Sequence, residues 1–211
     1  ALTSWVAFRN DPSGTISIGD LVVLDAELNP VVSALQEHGL EITAVHNHLV
    51  GEQPHTAYVH FFGRGDLKGI LEGLRSALDA TRTPAAPAVG KAALSFNRKA
   101  IEEILEKEGA QAGKVLAFSF PRAHEISMHG ALLPPVMGMA TAINFQPSPL
   151  GVAATGDFVL REREVNPVIS KLRAGGVKIT AVHNHMLDDE PRMVFVHFWA
   201  EGKPETVAKA L

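Results

Sequence analysis

The seven residues Ile42–His48, ITAVHNH, return unchanged at Ile179–His185. No other feature limits the possible folds as much. Shifted by the 137 positions that separate Ile42 from Ile179, the two ends of the chain align without a gap. The match runs over about 70 residues at roughly one identity in three, which is duplication rather than chance. Gly19-Asp20 falls on Gly156-Asp157, Asn29-Pro30 on Asn166-Pro167, Pro54 on Pro191, and Val59–Phe61 on Val196–Phe198. Two copies of so long a unit do not make a solenoid; they predict two halves packed about a pseudo-twofold axis. The first half is placed at residues 1–80, a Pro- and Ala-rich linker at 81–96 and the second half at 97–211. Gly90 to Met137 has no counterpart before Ala1, so the natural chain is expected to extend further towards the N-terminus.

Each copy reads as β-α-β-β-α, the split βαβ pattern of ferredoxin-like folds, with added antiparallel strands. The fold class is therefore α+β. LTSWVAF and TISIGDLVVL are β-rich runs joined by RNDPSG, which has hairpin-turn chemistry. ELNPVVSALQEHG predicts a helix with Asn29 as N-cap, Pro30 in its first turn and Gly39 at its stop. Glu27 and Glu164 then precede the two equivalent helices and support their N-termini electrostatically. A second helix carries Ile70, Leu71, Leu74 and Leu78 on one side. The middle of the chain adds a helix around Arg98–Glu108 and the strands KVLAFSF and HEISMHG. Gly19-Asp20 and Gly156-Asp157 interrupt strand-like runs and suggest a bulge or bend.

Strand alternation gives the histidines their meaning. His46 and His48 point one way and Asn47 the other. With the hairpin turn at Glu52–Pro54, His60 comes opposite His46 on the same face, beside Tyr58 and Phe62. In the second copy His183, His185 and His197 gather in the same way, beside Phe195 and Trp199. Three neutral imidazoles with an open position are a catalytic zinc frame, and they suit copper equally. A metal there would activate water for hydrolysis. Glu52, Asp189 and Glu190, close by in sequence, are the candidate general bases. Tyr58, Phe62, Phe195 and Trp199 are candidate ligand-stacking residues. Against these stand two structural readings, isolated hydrogen-bonded strand histidines or a buried polar network between the halves. Asn47 and Asn184 are assigned to backbone bonds. Arg122, His124, Glu125 and His129 are assigned mainly to the surface.

Composition narrows the classes. The chain has 211 residues, 46% hydrophobic and 20% charged, with a net charge of -4 and no basic stripe, which argues against nucleic acid as a partner. No apolar run is long enough for a transmembrane helix. The absence of cysteine removes disulfides and thiolate ligands. No phosphate loop, serine elbow or H-E-x-x-H motif is present.

The repeated NPV…TAVHNH…P…VHF pattern, with LLPPVMGMATAINFQP between its copies, resembles the LppY/LpqO lipoprotein family of bacteria. The resemblance spans nearly the whole chain. It implies a duplicated domain and an exported or lipid-anchored location, and no assigned activity. His55 departs from the family pattern, which has Arg there as at Arg192. The functional expectation is an exported metal protein with two His sites, a hydrolase acting on a cell-envelope or carbohydrate-type substrate. The alternative is a non-catalytic module binding a small molecule or glycan in a cleft between the repeats.

Overall fold

The computed structural model describes residues 3–83 and 92–211. Residues 84–91, the middle of the expected linker, lie outside them. The first half runs β1 (Trp5–Asp11), β2 (Gly14–Leu24), α1 (Asp25–Glu37), β3 (Glu41–His46), β4 (Thr56–Gly65) and α2 (Leu67–Asp79). An insertion follows, with α3 (Arg98–Ile104), β5 (Ala110–Ala112), β6 (Val115–Pro121), β7 (Ser127–Met128) and β8 (Ala131–Leu132). The second half runs β9 (Ala140–Ser148), β10 (Gly151–Leu160), α4 (Glu162–Ala174), β11 (Lys178–His183), β12 (Asp189–Glu190), β13 (Val194–Gly202) and α5 (Pro204–Ala210). The fold is mixed α+β. Its sheets have the orders β1-β2-β4-β3, β11-β13-β10-β9-β6-β5 and β12-β7-β8, and every pairing is antiparallel.

Period-two alternation splits each strand between two cores. Leu21, Val23, Val59 and Phe61 meet Val31 and Leu35 of α1 and Leu74 of α2. Val152, Ala154 and Phe198 meet Ile101, Leu172 and Val207 of α3, α4 and α5. The opposite faces of the two large sheets meet each other. Ile16, Ile18 and Phe62 pack with Val159 and Phe195, and with methionines from the insertion and loops, Met128, Met137, Met139, Met186 and Met193. The layers are thus helix, sheet, sheet, helix. Methionine fills the irregular space where two twisted sheets do not match.

Several expectations change. α1 starts one turn early, at Asp25, and Asn29 is not its cap. Glu27 lies inside the helix and its carboxylate accepts the Leu24 N–H at 2.8 Å; Glu164 does the same for Arg161 at 2.9 Å. That bond satisfies an orphan donor at the helix start, so the chain can begin the helix before the proline. Pro30 and Pro167 sit inside their helices, each at the loss of one backbone bond. Leu71 faces solvent, and Gly73 and Ala77 take the buried face beside Ile70 and Leu74. The helix at Arg98 stops at Ile104, and only Ser127–Met128 of HEISMHG is strand.

The Gly-Asp pairs are not bulges, since pairing runs unbroken through Gly19↔Phe61 and Asp20↔His60, and through Gly156↔Phe198 and Asp157↔His197. Glycine is needed for close approach. A Cβ on Gly19 would lie 2.6 Å from the Trp5 carbonyl and from the Phe61 ring; one on Gly156 would lie 1.8 Å from the Ala142 carbonyl. Gly156→Ala is expected to destabilise the protein by at least about 2 kcal/mol, the upper part of the range for overpacking, measured by urea unfolding. A midpoint equal to wild type would refute that packing.

Candidate metal centre

The two predicted trios do not form separate sites. They face each other between the sheets as one cluster of six imidazoles. His46 stacks on His183 with ring centroids 3.6 Å apart, His48 on His197 at 4.0 Å, and His60 on His185 at 3.8 Å. Each of these contacts joins one half of the chain to the other. Tyr58 covers His48 at 3.4 Å, and Phe195 covers His185 at 3.6 Å.

Two details of the strand reading are corrected. His46 stands opposite Tyr58, and His60 opposite Ala44, because the hairpin turns one residue earlier than expected. A shift of two pairs keeps the faces, so His46 and His60 still meet, diagonally, with ring centroids 4.9 Å apart. β3 and β11 also end at His46 and His183. His48 and His185 therefore enter from loops. The intervening asparagines fix those loops, with Asn47 Nδ2 donating to Thr56 O at 3.1 Å and Asn184 Nδ2 to Met193 O at 2.9 Å.

Tautomers follow from the hydrogen bonds. His46 Nδ1–H donates to Asn47 O at 3.3 Å and His183 Nδ1–H to Asn184 O at 3.2 Å. Their lone pairs then sit on Nε2, as in imidazoles oriented for metal. The Nε2 atoms of all six histidines are buried without a hydrogen-bond partner. Two donor groups result, His46 with His183, His185 and His197, and His46 with His48 and His60; within each, the ligand atoms lie within 4.8 Å of one another.

Burial, followed by the charge of neighbouring imidazoles, disfavours protonation. His46 is lowered to about 3, first by burial and then by His183. His48, His60, His185 and His197 are lowered for the same reasons, and His183 by burial.

The expected acids are elsewhere. Glu52 turns back onto Thr56, accepting from its N–H and hydroxyl at 3.3 Å. Asp189 accepts the Met193 N–H at 2.6 Å and meets Arg192 at 3.4 Å, which makes it a loop brace. Glu190 is exposed on the short β12. Nearness in sequence did not bring these carboxylates to the histidines, because the loops fold back on themselves. Phe62 packs into the inter-sheet core against His129, and Trp199 lines an outer groove with Leu49 and Val50. Of the four aromatic candidates, only Tyr58 and Phe195 touch the cluster closely. Arg122 pairs with Glu164 at 2.9 Å, and His129 links Glu41 at 2.9 Å to Asp188 at 3.2 Å.

The acids beside the imidazoles are Asp20 and Asp157. With His48, His60, His185 and His197 they line a cavity of about 290 Å³. Asp20 Oδ2 is 3.7 Å from His60 Nε2 and 3.9 Å from His48 Nε2. Burial, and then the charge of Asp157, pushes the Asp20 carboxyl well above the usual range. Burial raises Asp157 to about 7, against backbone hydrogen bonds that lower it. A sequence signal for both existed: each is an acid on the inward face of an apolar strand, in register with a histidine two strands along the same repeat.

Residues 1–80 and 99–211 match a family model described as Domain of Unknown Function (DUF1259). The chain belongs to the DUF1259 family. This match overturns the LppY/LpqO resemblance, and the exported location inferred from it loses its premise. No curated protein matches the chain. Solved structures similar to this DUF1259 chain at low identity include the following three. A trimeric bacterial microcompartment shell protein, PduB, shares 9% identity over 98% of this chain and 84% of its own, with a TM-score of 0.27. EtuB from Clostridium kluyveri shares 10% over 99% and 82%, with a TM-score of 0.27. EutL from Clostridium perfringens shares 11% over 99% and 86%, with a TM-score of 0.28. Scores this low carry no argument. No helix among the described residues is long and apolar enough to cross a membrane.

The lowered histidines set a pH dependence. The unfolded chain protonates its imidazoles near 6.5, before the folded chain does, so the metal-free protein loses stability as pH falls from 6.5 towards 3. Asp157 acts oppositely, contributing stability below 3.8 that is lost as pH rises through about 7. Six imidazoles outweigh two carboxyls, so urea midpoints measured in chelator should fall steadily below pH 6.5. A flat profile would show that the imidazoles are not buried neutral.

Proposed function

We propose that this protein binds a transition metal, zinc or copper, in the imidazole cluster between its two halves. The observation that carries this is the six buried Nε2 atoms without a partner. An unsatisfied buried nitrogen costs about 1–3 kcal/mol. Six of them approach the whole stability of a domain, about 5–15 kcal/mol. Borderline metals, for which imidazole is a preferred ligand, satisfy such lone pairs.

We also read the halves as related by a pseudo-twofold axis through the His46–His183 stack, each half a split βαβ unit. The matched contacts of His48 with His197 and of His60 with His185 support this, as do β2 and β3 flanking β4 in the first sheet.

Hydrolysis is the activity we favour. A metal bound here would supply Lewis acidity at the wall of the cavity. Asp157, titrating near neutrality on that wall, is suited to take or return a proton. The alternative, a binding module for a small molecule or glycan, is favoured by the same cavity, because its lining comes from both halves.

Protein purified without a His tag should carry one or two equivalents of metal by elemental analysis. The double variant His46→Ala/His183→Ala should retain less than about a tenth of it. A chain that stays metal-free after loading with zinc and copper would sink the proposal. His60→Leu offers a second test, because it replaces an unsatisfied polar ring by an apolar group. In chelator its unfolding midpoint should equal or exceed wild type, while the gain in melting temperature on adding zinc shrinks.

A further inference from the structure

His46 belongs to both donor groups, and it has one nitrogen to give. Its Nδ1–H is taken by the Asn47 carbonyl, so Nε2 alone is free. With His46 completing a four-imidazole set with His183, His185 and His197, His48 and His60 are left two nitrogens short of a tetrahedron. A third donor stands beside them. Asp20 Oδ2 is within 3.9 Å of both their Nε2 atoms. Asp20 is only 3% exposed, and its Oδ1 has no partner. A metal about 2.1 Å from each donor sets the donors about 3.0–3.4 Å apart. The two carboxylate–imidazole separations exceed that by about 0.3–0.9 Å, and the ligand atoms of His48 and His60 lie within 4.8 Å of each other.

Asp157 does not repeat this arrangement. Among the described residues no imidazole nitrogen lies within 4.0 Å of its oxygens, whereas two lie that close to Asp20. The duplicated halves have therefore diverged at this point.

Resting on the metal reading above, we propose that the cluster holds two unlike ions. One is held by the four imidazoles of His46, His183, His185 and His197. The other is held by His48, His60 and Asp20 at the wall of the cavity, with its remaining positions open. All three donors of the second ion line that cavity, whereas of the first ion's four ligands only His185 and His197 do. Four imidazoles form a closed set suited to zinc or copper, whereas two imidazoles and a carboxylate also take iron(II) or manganese(II). No lysine or arginine lines the cavity among the described residues.

Metal-stripped full-length chain, its fold checked by circular dichroism, is titrated with cobalt(II) and followed in the visible. Wild type should take two equivalents. The first should give the intense bands of a tetrahedral site, the second the weak bands of a site with five or six ligands. Asp20→Asn should lose the second equivalent or bind it at least tenfold more weakly and keep the first; Asp157→Asn should keep both. A single equivalent in wild type, two equivalents with the same intense spectrum, or unchanged binding by Asp20→Asn would overturn the division. The wild-type spectra decide the matter even where a variant fails to fold. Absence of any cobalt binding would overturn the metal reading itself.

Discussion

Ring-on-ring packing of six histidines between two sheets is the constraint on which the rest of this molecule depends. Each stacking pair takes one ring from either half. The inter-sheet space must therefore hold polar, flat, unprotonated groups where most cores hold aliphatic ones. The methionine-rich packing beside it fills the remainder of that space. Tyr58 and Phe195 close the cluster from either side and keep the imidazoles in a region of low dielectric. Protonation of one ring there would meet both the cost of burial and the charge of its neighbours.

Such a cluster is costly for a fold to keep without a partner. Structural histidines in cores usually satisfy both ring nitrogens, whereas here the second nitrogen of each ring is left bare. Backbone carbonyls hold the Nδ1–H of His46 and His183, so those rings are oriented before any ligand arrives. Orientation by an outer hydrogen bond with a free inner nitrogen is the arrangement of preorganised metal ligands. Gly19 and Gly156, next to Asp20 and Asp157, are needed for a different reason, the close approach of the Trp5 and Ala142 carbonyls.

Much of the fold was legible from residue order. The offset of 137 positions gave two similar halves, and alternation assigned His46, His48, His60 and their counterparts to single faces. The helix starts were not legible, because Glu27 and Glu164 cap from within and outcompete the more usual Asn-Pro signal. Candidate general bases were sought in loops near the histidines in sequence. Glu52 and Asp189 instead brace those loops, and the carboxylates that reach the imidazoles come from β2 and β10, dozens of residues away. Strand pairing across a sheet brings such residues together, and local pattern does not encode which strands will pair.

The sequence by itself determined the duplication, the α+β character and the two histidine trios, because each depends on repeat identity or short-range periodicity. Tertiary structure decided that the trios make one centre rather than two, that Tyr58 and Phe195 rather than Phe62 and Trp199 enclose it, and that Asp20 and Asp157 are its acids. Those outcomes depend on how two sheets face each other across a shared core, a long-range arrangement that no window of sequence contains.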